Sequence, residues 1–265
     1  MHLIAVVVFL TMIVPFAFMI LTSIRTTYTP MDVFLHPIPR EFTLANFLKV
    51  FSSNQLGRAF LNSVIVSVFI VTSNVILDSM AGYAFAKKDF VGKNVLFGII
   101  LFMMMIPFHV TLVPLFILLA KFHWVNTYQG IIMPNAVSSF GIFMMTQFMK
   151  EIPQDLIDAA AIDGANEIDI FTRVIIPLCG PALSALAILQ FLSSWNMFLW
   201  PLIIANSAEM RTIQVALALF TDRYGTSNWG LVMAGSTVAL LPMLLIYIVL
   251  QRKFIQGISM TGLKL

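Results

Sequence analysis

The sequence contains few charged residues and a single cysteine. Charged side chains make up 10% of its 265 residues, whereas a soluble globular domain carries roughly a quarter. The lone thiol, Cys179, excludes an internal disulfide and any paired-cysteine metal or redox motif. Neither a basic run nor a mixed basic and aromatic patch indicates a nucleic-acid partner. The sequence therefore does not predict a soluble, disulfide-bonded or nucleic-acid-binding protein.

Hydrophobic residues make up 60% of the chain and gather in six long windows. Each window is longer than the ~20 residues that a helix needs to cross a bilayer. Such spans must be helical because an isolated strand leaves its backbone unpaired in hydrocarbon. The first window has no basic leader and no cleavage site, so we interpret it as a retained span rather than a signal peptide. We predict an all-α polytopic membrane protein, one transmembrane domain over residues 1–265, with spans at roughly 3–24, 59–84, 94–119, 128–149, 180–205 and 229–250.

Six spans place both termini on one side of the membrane. Lysines and arginines are divided almost evenly between the two sets of loops, so the positive-inside rule decides little. The basic turn KKDFVGK at 87–93 favours cytoplasmic termini.

Spans four and five contain a cluster of amides and hydroxyls, and polar groups at bilayer depth face either neighbouring helices or a water-filled path. Hydrogen bonds between helices would explain any single one of them. Together they predict a hydrophilic substrate path. The residues assigned to this path are Asn135, Ser138, Ser139, Gln190, Ser194, Trp195 and Asn196.

Asp78 is the only acidic residue inside a predicted span. A charged side chain at the bilayer centre costs ~2.5–3.5 kcal/mol on insertion scales. Pairing within the helix bundle is the interpretation that we favour, and a proton relay is the alternative.

The loop after span four is rich in acids. Six of the twelve acidic residues in the chain lie between positions 151 and 169, which must therefore face water: Glu151, Asp155, Asp158, Asp163, Glu167 and Asp169. Asp155 is predicted to cap a short helix, with Asp158 at capping-box spacing, and Gly164 to end it in a left-handed conformation. Asn166 is predicted to cap a second helix whose apolar face comprises Ile168, Phe171, Val174 and Ile175. Ordered loops of this length are commonly functional.

The same loop carries a resemblance to a known family. Asp158-Ala159-Ala160, then Gly164 and Val174-Ile175-Ile176-Pro177, resembles the EAA loop of permease subunits of binding-protein-dependent ABC importers. The segments WNMFLWPL at 195–202 and QRKFIQGISMTGLK at 251–264 are similar to the carbohydrate branch, of the maltose-permease type. Asp158 stands where the family has Glu, and Asp78 departs from its pattern.

The resemblance implies a type I ABC importer permease fold and a coupling function for residues 150–178. In the family this loop docks on the cytoplasmic ATPase, so the implied coupling residues are Asp155, Asp158, Ala159, Ala160, Asp163, Gly164, Phe171 and Pro177. The implied partners are a second homologous permease subunit, a dimer of cytoplasmic ATP-binding subunits, an extracytoplasmic solute-binding protein, the sugar and membrane lipid. With a sugar as the solute, Trp195 is expected to offer a stacking face to the sugar ring. The implied location is the bacterial or archaeal cytoplasmic (inner) membrane, with cytoplasmic termini.

We expect no catalytic chemistry and no cofactor in this chain, ATP being bound by a partner subunit. The segment GISMTGLK at 257–264 lacks the Lys-Ser/Thr pair of a P-loop, and the four histidines show no metal-ligand spacing, so no metal site is predicted. The alternative function is an ion- or proton-coupled secondary transporter or channel that uses Asp78.

Overall fold

The computed structural model describes residues 2–26, 35–36, 38–39, 41–52, 54–225 and 228–262, with side chains from 6 to 249 within those ranges except at position 54. The C-terminal segment at 251–264 that resembles sugar permeases therefore lies outside the described side chains. Within these ranges the regular structure is helical, and an isolated antiparallel bridge joins Arg25 to Phe42. The fold class is all-α, as predicted from composition.

Thirteen α-helical segments are numbered here in chain order, among the described residues. They are α1 (His2–Ser23), α2 (Ala45–Ser52), α3 (Asn54–Lys87), α4 (Lys93–Met105), α5 (Phe108–Lys121), α6 (Tyr128–Ile132), α7 (Ser139–Lys150), α8 (Gln154–Ile162), α9 (Glu167–Leu178, with a π-helical turn at Ile170–Ile175), α10 (Gly180–Trp195), α11 (Leu199–Ile204), α12 (Ile213–Tyr224) and α13 (Trp229–Gly262).

In the described part of the chain, four helical segments are long and apolar enough to cross a membrane, or up to six if each of two bent pairs is one span. The third predicted span is one of these pairs: α4 and α5 meet at 104°. Ile106 is extended, with φ −81° and ψ 117°, because the ring of the following Pro107 disfavours the helical conformation before it. The window at 94–119 is thus broken rather than continuous.

The chain forms two compact units, of which the first comprises residues 1–64 and 201–244. Buried amides organise this unit. The Asn46 side chain donates to the carbonyls of Ser23 and Arg25, both at 2.9 Å. The Asn62 side chain donates to the carbonyls of Glu209 and Arg211, at 2.7 and 2.9 Å. Each amide thus satisfies carbonyls that lie outside regular hydrogen-bond ladders, as buried polar groups require.

The second unit comprises residues 65–200 and 245–265. Its core joins α3, α7, α8, α9 and α10 through buried side chains that include Tyr83, Met145, Met149, Ile152, Ile157, Ile170, Ile175, Cys179 and Leu186. Helices α3 and α7 approach closely at Gly82, where an added Cβ would lie 2.7 Å from the Cβ of Met145. The acidic loop and the polar residues of spans four and five both belong to this unit.

Candidate functional site

The first helix of the acidic loop, α8, begins at Gln154, after Pro153. The prediction that Asp155 is its N-cap is wrong, because Pro153 occupies that position and Asp155 lies exposed inside the first turn. Proline suits a helix start, since its fixed φ is compatible with helix entry and it has no N–H to satisfy. Asp158 instead accepts a hydrogen bond from the side chain of Gln154 at 3.1 Å, one turn away.

Gly164 ends this helix in the left-handed conformation, with φ +84°, which confirms the prediction for its backbone. The amide of Gly164 donates to the carbonyl of Ala161 at 3.1 Å, and the amide of Ala165 donates to that of Ala160 at 3.0 Å. This pair of bonds is a Schellman motif, which satisfies the carbonyls left unpaired at a helix C-terminus.

Asn166 caps the second helix, as predicted. Its side-chain oxygen accepts from the amides of Ile168 and Asp169, both at 3.0 Å. The predicted apolar face is only partly inward: Ile175 is buried and Phe171 half-buried, whereas Ile168 is 75% exposed. Ile168 is exposed because it lies in the first turn, before the π-helical turn that carries Ile170 and Ile175 into the core.

Three contacts attach the loop to the cytoplasmic end predicted for span two. Lys88 forms an ion pair with Glu167, Nζ to Oε1 at 2.6 Å, and the Tyr83 hydroxyl donates to the other carboxylate oxygen at 3.1 Å. The Lys87 ammonium donates to the carbonyl of Ile152. The hydrogen bond from Lys88 holds the pKa of the Glu167 carboxyl below its usual value. The loop is therefore a folded appendage of α3 rather than a free connection.

The loop has an inner and an outer surface. Ile157, Ile170 and Ile175 are buried in the core, and Ala160 and Phe171 pack against it. The other implied coupling residues are exposed: Asp155, Asp158, Ala159, Asp163, Gly164 and Pro177. The outer surface also presents three apolar residues that are not among the implied coupling residues, Leu156, Ile162 and Ile168, which are 44%, 86% and 75% exposed. Apolar side chains that project into water from an ordered loop are typical of a docking surface.

The polar residues of spans four and five converge on a cavity of about 150 Å³. Four of the predicted path residues line it, namely Asn135, Ser138, Gln190 and Ser194, and the remaining lining residues are Ile70, Pro134, Val137, Ser193 and Met197. Ser193 was missed although it lies in the same SSWN run. A small cavity with hydroxyls and amides on its wall has the chemistry to hydrogen-bond a polyhydroxylated solute.

Three predicted path residues are not on the wall of this cavity. Trp195 is 1% exposed and stacks on Phe191, with ring centroids 5.5 Å apart and planes at 22°. The expectation that Trp195 offers a face to a sugar is therefore wrong for this structure, because Phe191 covers that ring. Asn196 is exposed and its amide donates to the carbonyl of Leu192 at 2.9 Å. Ser139 begins α7.

Comparison with known proteins identifies the family. Residues 78–260 match the family described as binding-protein-dependent transport system inner membrane component. The chain belongs to this family. The matched region includes the acidic loop and every residue that lines the cavity except Ile70.

Relatives of this permease are similar over most of their length. The arabinooligosaccharides transport system permease protein AraQ of Halalkalibacterium halodurans is 41% identical over 227 residues, 85% of this chain and 81% of that protein. The trehalose/maltose transport system permease protein MalG of Thermococcus litoralis is 32% identical over 255 residues, 94% of this chain and 91% of that protein.

A solved structure shares the fold of this permease. It is a crystal structure of a bacterial ABC transporter involved in the import of the acidic polysaccharide alginate, with a TM-score of 0.83. The match covers 96% of this chain and 94% of that chain at 22% sequence identity. The type I permease fold expected from the sequence is confirmed.

Membership of this family supports an importer permease over the alternative function, an ion- or proton-coupled secondary transporter or channel that uses Asp78. Among the residues that the structure describes, no group of three or more histidine, cysteine, aspartate or glutamate side chains could hold a metal ion. Asp78 is fully buried, and one oxygen of its carboxylate accepts a hydrogen bond from the amide of Ser138 at 3.0 Å.

Proposed function

We propose that this permease is the membrane-spanning subunit of an ATP-driven oligosaccharide importer and forms half of a heterodimeric pore. The observation that carries the proposal is the acidic loop. It is an ordered pair of helices, packed against Tyr83 of α3 through a buried core and linked to the end of α3 by the Lys88–Glu167 ion pair, with exposed apolar residues on its outer surface. Such a segment can transmit a movement of a docked ATPase to the spans, because it is joined rigidly to them and offers an apolar surface to a groove.

Oligosaccharides are the proposed substrate class. The relatives named above are permeases for arabinooligosaccharides and for trehalose and maltose. The cavity wall supports the same class, since the side chains of Asn135, Ser138, Gln190, Ser193 and Ser194 offer donors and acceptors that match sugar hydroxyls. Arabinooligosaccharides are the first candidate, because AraQ shares 41% identity with this chain.

The proposal includes partners and an orientation. A second, homologous permease completes the pore, a dimer of ATP-binding subunits docks on the acidic loop, and an extracytoplasmic binding protein delivers the sugar. The loop at 150–178 and both termini face the cytoplasm. This chain binds neither ATP nor another cofactor and catalyses no covalent step.

The test is uptake by the assembled importer in lipid vesicles. The permease is co-purified with its ATPase, second permease and binding protein, and the vesicles are loaded with ATP. Uptake of radiolabelled arabinotriose and maltotriose is then measured with binding protein outside. We expect uptake that requires ATP hydrolysis and binding protein. Uptake driven by a proton gradient without ATP would refute the proposal and restore the secondary-transporter alternative.

A further inference from the structure

The fourth span is interrupted between two helical pieces, and side chains of α3 contact both ends of the interruption. Helix α6 continues as a 3₁₀ turn to Asn135, and α7 begins at Ser139, so residues 136–138 form the break. Asn74 donates to the carbonyl of Asn135 at 2.8 Å, and Asp78 accepts from the amide of Ser138 at 3.0 Å. Both α3 side chains are fully buried.

The spacing of the two side chains explains how one helix contacts both ends. Asn74 and Asp78 are four residues apart, so they lie on one face of α3 about one turn from each other. Backbone groups at a helix interruption have no intrahelical partner and must be satisfied by other groups. The Asp78 carboxylate also lies at the N-terminus of α7, where the helix dipole favours negative charge.

The Asp78 carboxylate is tightly packed against the first turn of α7. An added Cβ at Gly141, in the first turn of α7, would collide with the carboxylate of Asp78 and lie 3.1 Å from Cδ1 of Leu186 on α10. In the part of the chain that the structure describes, the second oxygen of this carboxylate has no hydrogen-bond partner. The glycine therefore allows α7 to approach a carboxylate that is fixed through one oxygen.

The break also forms part of the cavity wall. Asn135, Val137 and Ser138 line the cavity opposite the α10 residues Gln190, Ser193 and Ser194. We infer that Asn74 and Asp78 are positioning residues that fix the break and so set the shape of the solute cavity. This inference rests on the proposed function, because the cavity is taken as part of the sugar path. Asp78 then acts through its hydrogen bond to Ser138 and carries no transported proton.

The first experiment measures the accessibility of the cavity wall and does not depend on transport. Ser193→Cys is introduced in a Cys179→Ser background, and its rate of reaction with N-ethylmaleimide is measured in the purified importer. We expect Asn74→Ala and Asp78→Ala to change this rate severalfold. Asn62→Ala is the matched control. It also removes a buried side-chain amide from α3, but that amide donates to the carbonyls of Glu209 and Arg211 and not to the break. Equal rates in all four proteins would overturn the inference.

The second experiment separates positioning from proton transfer. Asp78→Asn keeps an oxygen that can accept from Ser138, so we expect sugar uptake per ATP hydrolysed within about twofold of the parent. Asp78→Ala should lower this ratio about tenfold, the effect of losing roughly one buried hydrogen bond. A merely structural defect would lower uptake and ATP hydrolysis together. Equal loss in Asp78→Asn and Asp78→Ala would overturn the inference.

A double variant tests the contact with Gly141. Gly141→Ala alone should impair uptake, because its Cβ collides with the Asp78 carboxylate. Once Asp78→Ala has removed that carboxylate, adding Gly141→Ala should cost little more, which is the signature of two coupled sites. Full additivity would contradict the contact. ATP-dependent uptake by the parent importer tests the proposed function separately, and the thiol reaction remains informative whether or not the vesicles transport sugar.

Discussion

Lys88 and Glu167 join the basic turn after α3 to the second helix of the acidic loop, with 2.6 Å between Nζ and Oε1. The Glu167 side chain is 65% exposed, and exposed ion pairs contribute only about 0–1 kcal/mol. We therefore expect Glu167→Gln to retain uptake and ATP hydrolysis within about twofold of the parent. The loop is fixed mainly by its buried residues, so Ile157→Asp, which places a charge in that core, is expected to abolish both activities.

The pH dependence of this ion pair has a definite sign. Lys88 lowers the pKa of the Glu167 carboxyl, so the stabilisation is complete above the ordinary carboxyl pKa and is lost as the pH falls through the lowered value. The pair is thus intact at neutral pH. Circular dichroism and ATP hydrolysis of Glu167→Gln and the parent, measured in parallel at about pH 6 to 8, should show the same profile. A divergence within that range would mean that another group controls the carboxylate.

The positions of the spans could be predicted from composition, because windows of about 20 apolar residues have few other uses. The interruptions of the spans were harder to predict from the sequence. Pro107 carries a local signal, since proline disfavours a helix at the residue before it. The break at 136–138 has the local signals of Pro134 and the N-cap Ser138, but its contacts with Asn74 and Asp78 of a different helix have none. The sequence of a segment does not show which side chains of a distant helix will contact it.

The candidate sites show the same division between local and tertiary causes. Gly164 and Asn166 were predicted because helix caps depend on a few consecutive residues. The stacking of Trp195 on Phe191, four residues earlier on the same helix face, is a local contact, whereas the burial of Trp195 to 1% exposure depends on tertiary packing. The exposure of Ile168 depends on the π-helical turn, which no pattern in the sequence indicates.

The orientation of the chain is a prediction that cysteine labelling can check. We expect residues 85–93 and 150–178 to face the cytoplasm, and 25–58 and 206–228 to face outward. Asp155→Cys and Thr221→Cys are suitable reporters, since both positions are exposed. The native thiol of Cys179 is buried and is replaced by serine to remove background. An impermeant maleimide added to intact cells should label position 221 and spare position 155. The opposite pattern would invert the topology.

Gly164 provides a test of the loop that leaves the pore untouched. Its φ is +84°, and nothing lies within 4 Å of an added Cβ, so a substitution there acts through the backbone alone. A Cβ in the left-handed conformation costs about 1–2 kcal/mol, and β-branched Val tolerates it least. We expect Gly164→Val to insert normally and to lose stimulation of ATP hydrolysis by solute, measured in vesicles beside a pull-down of the ATPase.

Two variants serve as controls for this backbone effect. Gly164→Asn should recover much of the activity, since Asn is among the few residues that visit the left-handed region. Gly180→Ala should be silent, because nothing lies within 4 Å of its added Cβ and its backbone is not left-handed. Equal activity of Gly164→Val and the parent would show that the turn does not determine coupling.

The last prediction distinguishes docking from folding by comparing two adjacent alanines of α8. Ala159 is exposed. Ala160 is partly buried and, like Phe171, packs against the core that contains Ile157. Ala159→Glu should leave the loop folded but place a charge that must be desolvated in the proposed ATPase interface, where an unpaired charge is costly. We expect normal insertion and association with the second permease, with loss of ATPase pull-down and of uptake.

Ala160→Glu should fail differently, because its carboxylate would enter the loop core itself and unfold the segment. Limited proteolysis should therefore cleave residues 151–178 in Ala160→Glu but spare them in Ala159→Glu, although both lose uptake. Ala159→Ser, which adds a hydroxyl and no charge, should behave as the parent. If Ala159→Glu still captured the ATPase and imported sugar normally, the outer surface of α8 would not be the docking site. Coupling would then have to pass through the second helix, with Ile168 the next position to substitute.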